Sequence, residues 1–121
     1  MREKKNAVIE KATLTLGDRD ILQVWLSLDY GGSGQGFGGH ALALGPGYTK
    51  RDPKGEGSFC GEYLRRILEV AGVTEWSHLP GRTIRVEAEH SCIHGIGHIV
   101  KDDWFYPKEL ADKIWPPTAA E

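Results

Sequence analysis

A glycine-rich segment between two alternating apolar stretches constrains the fold of this chain more than any other feature. Six of the nine residues at positions 31–39 are glycine. Glycine loses more backbone entropy on folding than any other residue, and a tight hairpin needs only two turn residues. We therefore expect a specific reason for this bare backbone: a close ligand, a close partner chain, or several positive φ angles.

The sequence on both sides of this segment has the two-residue period of β-strands. Residues 7–16 and 21–30 predict two antiparallel strands, and residues 39–44 predict a third after the glycines. In the second strand Trp25 falls among the polar positions, so it faces outward and needs cover from another element or a partner. Glycine, proline and charged residues dominate positions 45–57, which we predict to be a mobile loop.

The second half of the chain predicts a long helix and two more strands. Residues 58–71 carry apolar side chains at i, i+3 and i+4 spacing, and Gly72 follows as a C′ residue with positive φ. Alternation predicts strands at 82–89 and 96–101, and Pro107 opens a short C-terminal helix.

These elements predict a single α+β domain over residues 1–121. An antiparallel sheet of about five strands carries the long helix across it, a short helix follows, and residues 116–121 form a tail. No apolar run is long enough to span a membrane, and the charged N-terminus has no signal-peptide core behind it. Net charge is −2, which gives no overall attraction to nucleic acid. Cys60 and Cys92 form no spaced framework, so we expect free thiols in the cytoplasm.

The glycine segment is the first candidate site. Residues 34–39 match G-x-G-x-x-G, but the dinucleotide-binding version opens a helix, whereas here a strand is predicted to follow. Bare backbone N–H groups can still form an anion-binding nest for phosphate, while a β-bulge or a contact between subunits explains the same glycines structurally. The residues that we predict to bind a ligand are Trp25, Gly32, Ser33, Gly34, Gln35, Gly36, Phe37, Gly38, Arg65, Arg66, Arg82, His90, His94 and His98.

A run of histidine and cysteine near position 92 is the second candidate site. In an extended chain His90, Cys92 and His94 project to one side, and a following turn could return His98 toward them. These side chains are zinc ligands in many proteins, but alternate Cβ atoms of a strand lie about 6.5–7 Å apart, a stretched geometry for one small ion. We therefore predict no metal and no cofactor. A small enzyme that uses these residues, with or without metal, is an alternative function.

Arginine and aromatic residues suggest nucleic-acid binding as a further alternative. Arg65, Arg66, Arg82 and Arg85 could together hold an anion, and the aromatic residues at 104–106 could stack bases. A solvated charged face and an aromatic anchor on the core explain the same residues structurally. The acidic balance of the chain counts against this alternative.

Four stretches of the chain resemble a family of small bacteriophage and prophage accessory proteins. They are residues 28–39 (LDYGGSGQGFGG), 63–70 (YLRRILEV), 79–81 (LPG) and 97–105 (GHIVKDDWF). The family supplies no catalytic role to carry over. The resemblance implies a protein that acts against host defences, in the cytoplasm of an infected or lysogenic bacterium.

The leading hypothesis is a non-enzymatic binding protein that forms a homo-oligomer. It would capture a phosphate-bearing small molecule or a host protein through residues 31–39. An outward Trp25 beside a side-chain-free segment supports the oligomer, because a lone tryptophan on a polar face usually finds cover.

Overall fold

Six antiparallel strands and two helices make up the described part of the chain. The computed structural model describes residues 2–17, 21–31, 33–43, 56–90 and 92–115. Its elements in chain order are β1 (Glu3–Leu16), β2 (Leu22–Asp29), β3 (Gly34–Ala43), α1 (Glu56–Ala71), a 3₁₀ turn (Trp76–His78), β4 (Thr83–Ala88), β5 (Ile93–Gly97), β6 (Trp104–Phe105) and α2 (Pro107–Ile114). The α+β prediction is confirmed, with six strands in place of about five.

The sheet curls until its two edges approach each other. Its strand order is β3-β2-β1-β4-β5-β6, so β3 and β6 are the edge strands. Nevertheless the ring centroids of Phe37 on β3 and Phe105 on β6 are only 6.3 Å apart. The curl brings the glycine-rich edge next to the connection between β4 and β5, which is the basis of the site described below.

A bulge in β1 returns Ala12 to the concave face. Ile9 pairs with Leu28, but the next pair is Lys11 with Ser27, so one residue of β1 is extra. Such an extra residue reverses the side-chain alternation beyond it. Ala12 consequently packs against the same core as Ile9, although the two are an odd number of positions apart.

Helix α1 lies across the concave face of the sheet. Its residues Tyr63, Ile67 and Val70 are buried, as the i, i+3, i+4 pattern predicts. The ring of Tyr63 packs edge-on against Phe105 at 5.0 Å and also contacts Phe37 at 6.3 Å, which joins the helix to both edge strands. No helix among the described residues is long and apolar enough to cross a membrane.

The helix ends as its sequence predicts. Gly72 has φ of 73°, its N–H donates to the carbonyl of Glu69 at 3.1 Å, and the N–H of Val73 donates to Leu68 at 3.1 Å. These two bonds satisfy the last free carbonyls of α1. Its start differs, because α1 begins at Glu56, inside the predicted loop. The rest of that loop and the predicted tail at 116–121 lie outside the described residues.

Two strand predictions are wrong in position. The third strand begins at Gly34 rather than at 39, so most of the glycine segment is itself a strand. The strand predicted at 96–101 lies at Ile93–Gly97 instead. Residues 98–103 form a turn in which the Nδ1 atom of His98 accepts the N–H groups of Val100 and Lys101, both at 3.0 Å. This local capping overrides an alternation that the apolar residues alone would extend.

Candidate ligand clefts beside the glycine strand

Trp25 covers the middle of β3, which we call the glycine strand. A Cβ atom on Gly36 would overlap the six-membered ring of Trp25, and a Cβ atom on Gly39 would touch that ring at 3.4 Å. The outward orientation of Trp25 is therefore confirmed. The neighbouring strand β3 covers part of its ring. The indole remains 47% exposed.

The other described glycines of the segment also have local structural reasons. A Cβ atom on Gly34 or Gly38 would collide with a backbone carbonyl oxygen of β2. Gly31, Gly38 and Gly39 have φ of 90°, 124° and 76°, values that other residues rarely adopt. Irregular pairing of β2 with β3 on both sides of Gln23 supplies the predicted bulge. The backbone pairs with β2 from Gly34 onward, so it is not the open loop that a phosphate nest requires. Gly32 lies outside the described residues.

Phe37, which we predicted to bind a ligand, is a core residue. It is 1% exposed and contacts the rings of Tyr63 and Phe105. Because residues 34–43 form a strand, alternation sends Gln35 and Phe37 to the concave face. Phe37 therefore does not contribute to a ligand surface.

Gln35 connects the glycine strand to the β4–β5 connection. Its Nε2 donates to the backbone carbonyls of Glu89 and His90, both at 3.1 Å. Its Oε1 accepts the hydroxyl of Tyr30 at 2.8 Å. Both amide hydrogens and the amide oxygen have protein partners, so Gln35 acts as a strut between two segments that are far apart in the chain.

A first cleft, the Tyr30 cleft, opens on one side of this strut. Its volume is about 350 Å³, and Lys5, Tyr30, Ser33, Glu89 and His90 contribute to its walls. The ammonium of Lys5 lies 5.3 Å from the centroid of the Tyr30 ring, and burial raises the pKa of the Tyr30 hydroxyl. This cleft offers one aromatic face, one cation and carboxylate acceptors.

A second cleft, the Trp25 cleft, opens on the other side and has a volume of about 440 Å³. Trp25, Gly36 and Gly38 line it, and so do Pro107 and Lys108 at the N-terminus of α2. Lys108 pairs with Asp112 at 3.0 Å, but its side chain is exposed, so this surface ion pair holds it weakly.

Three nitrogen- or sulfur-bearing side chains also reach the Trp25 cleft. His40 shares a 2.7 Å hydrogen bond between its Nδ1 and the hydroxyl of Tyr63, and burial lowers the pKa of His40. Cys92 is exposed, and its Sγ lies 3.5 Å from Nε2 of His94. The same nitrogen is 3.5 Å from a carboxylate oxygen of Glu89. Within the described residues, no three His, Cys, Asp or Glu side chains are close enough together to hold a metal ion.

The predicted arginines do not join these clefts. Arg66 bonds to Glu69 at 2.6 Å and to Asp103 at 2.5 Å, and this pair raises the pKa of Arg66 and lowers the pKa of Asp103. Arg82 donates to the carbonyl of Ala71 at 3.2 Å, and Arg65 donates to Glu69 at 3.2 Å. Arg66 and Arg82 tie α1 to its surroundings, whereas the Arg65 contact lies within the helix. His98, which caps a turn, is also remote from the clefts.

The aromatic residues at 104–106 are likewise engaged in the fold. Trp104 covers Gly97 and Tyr106 covers Gly95 on the convex face of the sheet. Lys4 and Arg85 lie 5.1 Å and 4.9 Å from the Trp104 ring centroid. Trp104 thus packs against two cations of the protein itself and lines neither cleft.

Comparison with protein-family models, with curated proteins and with solved structures finds no match to this chain. The geometry of the clefts is therefore the basis for assigning a function.

The structure brings some predicted residues together and adds others. Trp25, Ser33, Gly34, Gln35, Gly36, Gly38, His90 and His94 all line one of the two clefts. Tyr30, Lys5, His40 and Lys108 join them without having been predicted. Tyr30 directly precedes the glycine segment, so its position in the sequence was a usable signal. Lys5 and Lys108 reach the clefts only through the sheet register and the packing of α2, for which no local pattern exists.

Proposed function

We propose that this protein is a binding protein that captures a phosphate-bearing, nucleotide-type small molecule in the Trp25 cleft. One observation carries the proposal: an exposed indole that rests on glycine positions of β3 lines the same cleft as a lysine and two histidines. Aromatic and cationic groups that line one cleft suit a ligand with a planar ring and a negative charge.

The glycine strand gives the indole a fixed position. Because Gly36 and Gly39 have no side chains, Trp25 rests directly on the backbone and keeps one face available to the cleft. Stacking of a nucleic-acid base on an aromatic side chain is worth about 1–3 kcal/mol. A platform that is already ordered loses little entropy when the ligand binds.

Other lining residues supply charge and hydrogen-bond donors for phosphate. Lys108 is a flexible cation at the start of α2, and His94 lines the same cleft as a further donor. The N-terminus of α2 adds the partial positive charge of a helix dipole. These groups supplement one another, since none alone defines a phosphate site.

Isothermal titration with AMP, GMP, CMP and UMP tests this proposal. We expect at least one monophosphate to bind, and Trp25→Ala to weaken its Kd about tenfold or more. Trp104→Ala is the matched control, because Trp104 covers Gly97 as Trp25 covers Gly36 but lines neither cleft. Binding that survives Trp25→Ala, or no binding of any monophosphate at millimolar concentration, would contradict the proposal.

The resemblance to phage accessory proteins supports a biological role for such capture. In that role the protein sequesters a host molecule and so suppresses a defence response. Mass spectrometry of small molecules released by heat from protein purified out of bacterial cells tests this role. A co-purified nucleotide in near-stoichiometric amount is the expected result, whereas a co-purified host protein would favour the second kind of partner considered above.

A second candidate function rests on Cys92 and His94. Their 3.5 Å Sγ–Nε2 distance is a spacing used by thiol nucleophiles and their bases. In this case the protein would transform the ligand of the Trp25 cleft rather than hold it. Chromatography of a bound nucleotide after incubation with the wild type and with Cys92→Ser separates the two functions, because only a thiol enzyme would change the nucleotide.

A further inference from the structure

The two clefts follow the same pair of chain segments. Gly34 lines the Tyr30 cleft and Gly36 lines the Trp25 cleft, on consecutive outward positions of the glycine strand. On the opposite side His90 lines the first cleft and Cys92 lines the second. Gln35 is the one described residue that lines both. The clefts are therefore neighbours along one gap between β3 and the β4–β5 connection, separated by the Gln35 strut.

Each cleft contains the same two kinds of group. The Tyr30 cleft has an aromatic ring and the ammonium of Lys5, 5.3 Å from that ring. The Trp25 cleft has an exposed indole and the ammonium of Lys108. An aromatic ring and a cation thus occur twice, once on each side of Gln35.

The carboxylates of the Tyr30 cleft suit the uncharged parts of a nucleotide. Glu3 lies 3.8 Å from Lys5, and Glu89 lies 3.5 Å from Nε2 of His94, so both acids already have a nitrogen-bearing neighbour. Their remaining lone pairs can accept hydrogen bonds from ribose hydroxyls or from the exocyclic amino group of a base. The phosphate of the ligand therefore need not enter the Tyr30 cleft beside these carboxylates.

The size of each cleft limits how much ligand it can hold. Volumes of about 350 and 440 Å³ lie near the lower end of the range for small-molecule sites, which is about 300–1,000 Å³. A ligand with a single ring system fills only one of them.

We infer that the two clefts are halves of one site, and that its ligand is a dinucleotide-type molecule with two planar ring systems joined through phosphate. One ring stacks on Trp25 and the other lies against Tyr30, and the linking phosphate crosses between the clefts with Lys5 on one side and Lys108 on the other. The inference rests on the proposed function, because the Trp25 half is the site proposed above. It adds a second half and a class of ligand.

Titration with linear dinucleotides tests the inference against single nucleotides. The probes are pApA, pGpG, pCpC and pUpU, compared with the four monophosphates. We expect the best dinucleotide to bind at least about a hundredfold more tightly than its own monophosphate, because the second half binds as an intramolecular event. The stoichiometry expected is one dinucleotide per chain.

Two lysine variants test whether the Tyr30 cleft is the second half of the binding site. Lys5→Ala removes the cation of the Tyr30 cleft, and we expect it to weaken dinucleotide binding about three- to tenfold while leaving monophosphate binding unchanged. Lys4→Ala is the matched control, because the neighbouring Lys4 lies over Trp104 and lines neither cleft. Both lysines are exposed, so both variants should unfold at the wild-type temperature.

The outcomes separate this inference from the proposed function. A dinucleotide no tighter than its monophosphate, with binding that still depends on Trp25, would overturn the two-half site and leave the single-nucleotide site intact. Dinucleotide binding that Lys5→Ala does not weaken would also overturn the two-half site and leave the single-nucleotide site intact. The absence of binding by every probe, single or double, would overturn both.

Discussion

The side chain of Trp25 occupies the space that any residue other than glycine would need at position 36. Neighbouring strands in a sheet bring outward side chains close together, and a Cβ atom on Gly36 would overlap the indole. The glycine weakens the strand entropically, but it allows a large aromatic surface to pack against the backbone. At the scale of single residues, the contact between the indole of Trp25 and the backbone explains why position 36 is glycine.

Gly36→Ala should therefore destabilise the protein by about 1–3 kcal/mol, the usual cost of overpacking. Chemical denaturation measures the change, and quenching of tryptophan fluorescence by iodide should rise as Trp25 is displaced. Gly61→Ala in α1 is the matched control, because a Cβ atom there meets nothing within 4 Å. That substitution should stabilise the protein by up to about 1 kcal/mol through helix propensity. Equal effects of the two substitutions would show that Trp25 does not rest on Gly36.

His40 makes stability depend on pH in a predictable direction. Burial lowers the pKa of folded His40 below its unfolded value of about 6.5, so the unfolded chain binds this proton more readily. The stability associated with neutral His40 is complete above pH 6.5 and is lost as the pH falls through and below that value. Thermal unfolding between pH 7.5 and 5 should show this loss, and His40→Gln should reduce its slope. A slope unchanged by His40→Gln would contradict the assignment.

At the scale of elements, Arg66 links helix α1 to the turn between β5 and β6. Its guanidinium contacts Asp103 from that turn, Glu69 from its own helix and the carbonyl of Trp104. The planar fork of arginine suits several acceptors at once, and lysine cannot reproduce it. The neighbouring Arg65 instead makes one exposed pair with Glu69.

Arg66→Lys should consequently cost about 1–2 kcal/mol of stability, whereas Arg65→Lys should change it by less than about 0.5 kcal/mol. The side chains are 21% and 70% exposed, which is the reason for the difference. Urea denaturation of the two variants at moderate salt provides the comparison, and a double-mutant cycle with Asp103→Asn isolates the contact. Similar costs for both variants would mean that Arg66 is no more than a surface charge.

At the scale of the whole molecule, the curl of the sheet creates the site. The glycine strand is an edge of the sheet, yet Gln35 reaches two carbonyls 54 and 55 positions away in the chain. The clefts exist because this edge stops short of full closure against β5 and α2. A flatter sheet would carry the same residues without either cleft.

Association of the chain with itself stays a prediction, and its basis is the exposed apolar surface. Leu14 and Leu16 at the end of β1 are 44% and 67% exposed, in addition to Trp25. Sedimentation at high micromolar concentration should give a dimer or larger species rather than the 13.4 kDa monomer. Leu16→Gln and Trp25→Ala should each weaken this association. A wild-type monomer at that concentration would refute the prediction.

The sequence by itself determined the features that depend on neighbouring residues. Alternation identified the strand with Trp25 facing outward, and the apolar stripe with Gly72 identified α1 and its end. It misplaced the strand at 93–97, because the capping of a turn by His98 is invisible to alternation. It also missed β6, since two residues are too few to show a period.

Only the tertiary structure decided what the glycines are for and which residues share a cleft. The sequence marked positions 31–39 as unusual, but the reason for Gly36 is an indole eleven positions earlier, brought there by strand register. Lys5, Gln35 and His90 meet because the sheet curls, and curl depends on bulges and on packing against α1 rather than on any local pattern. A local pattern records which face of an element is apolar. Which residues contact that face depends on the packing of the whole chain. A short window of sequence carries no information about that packing.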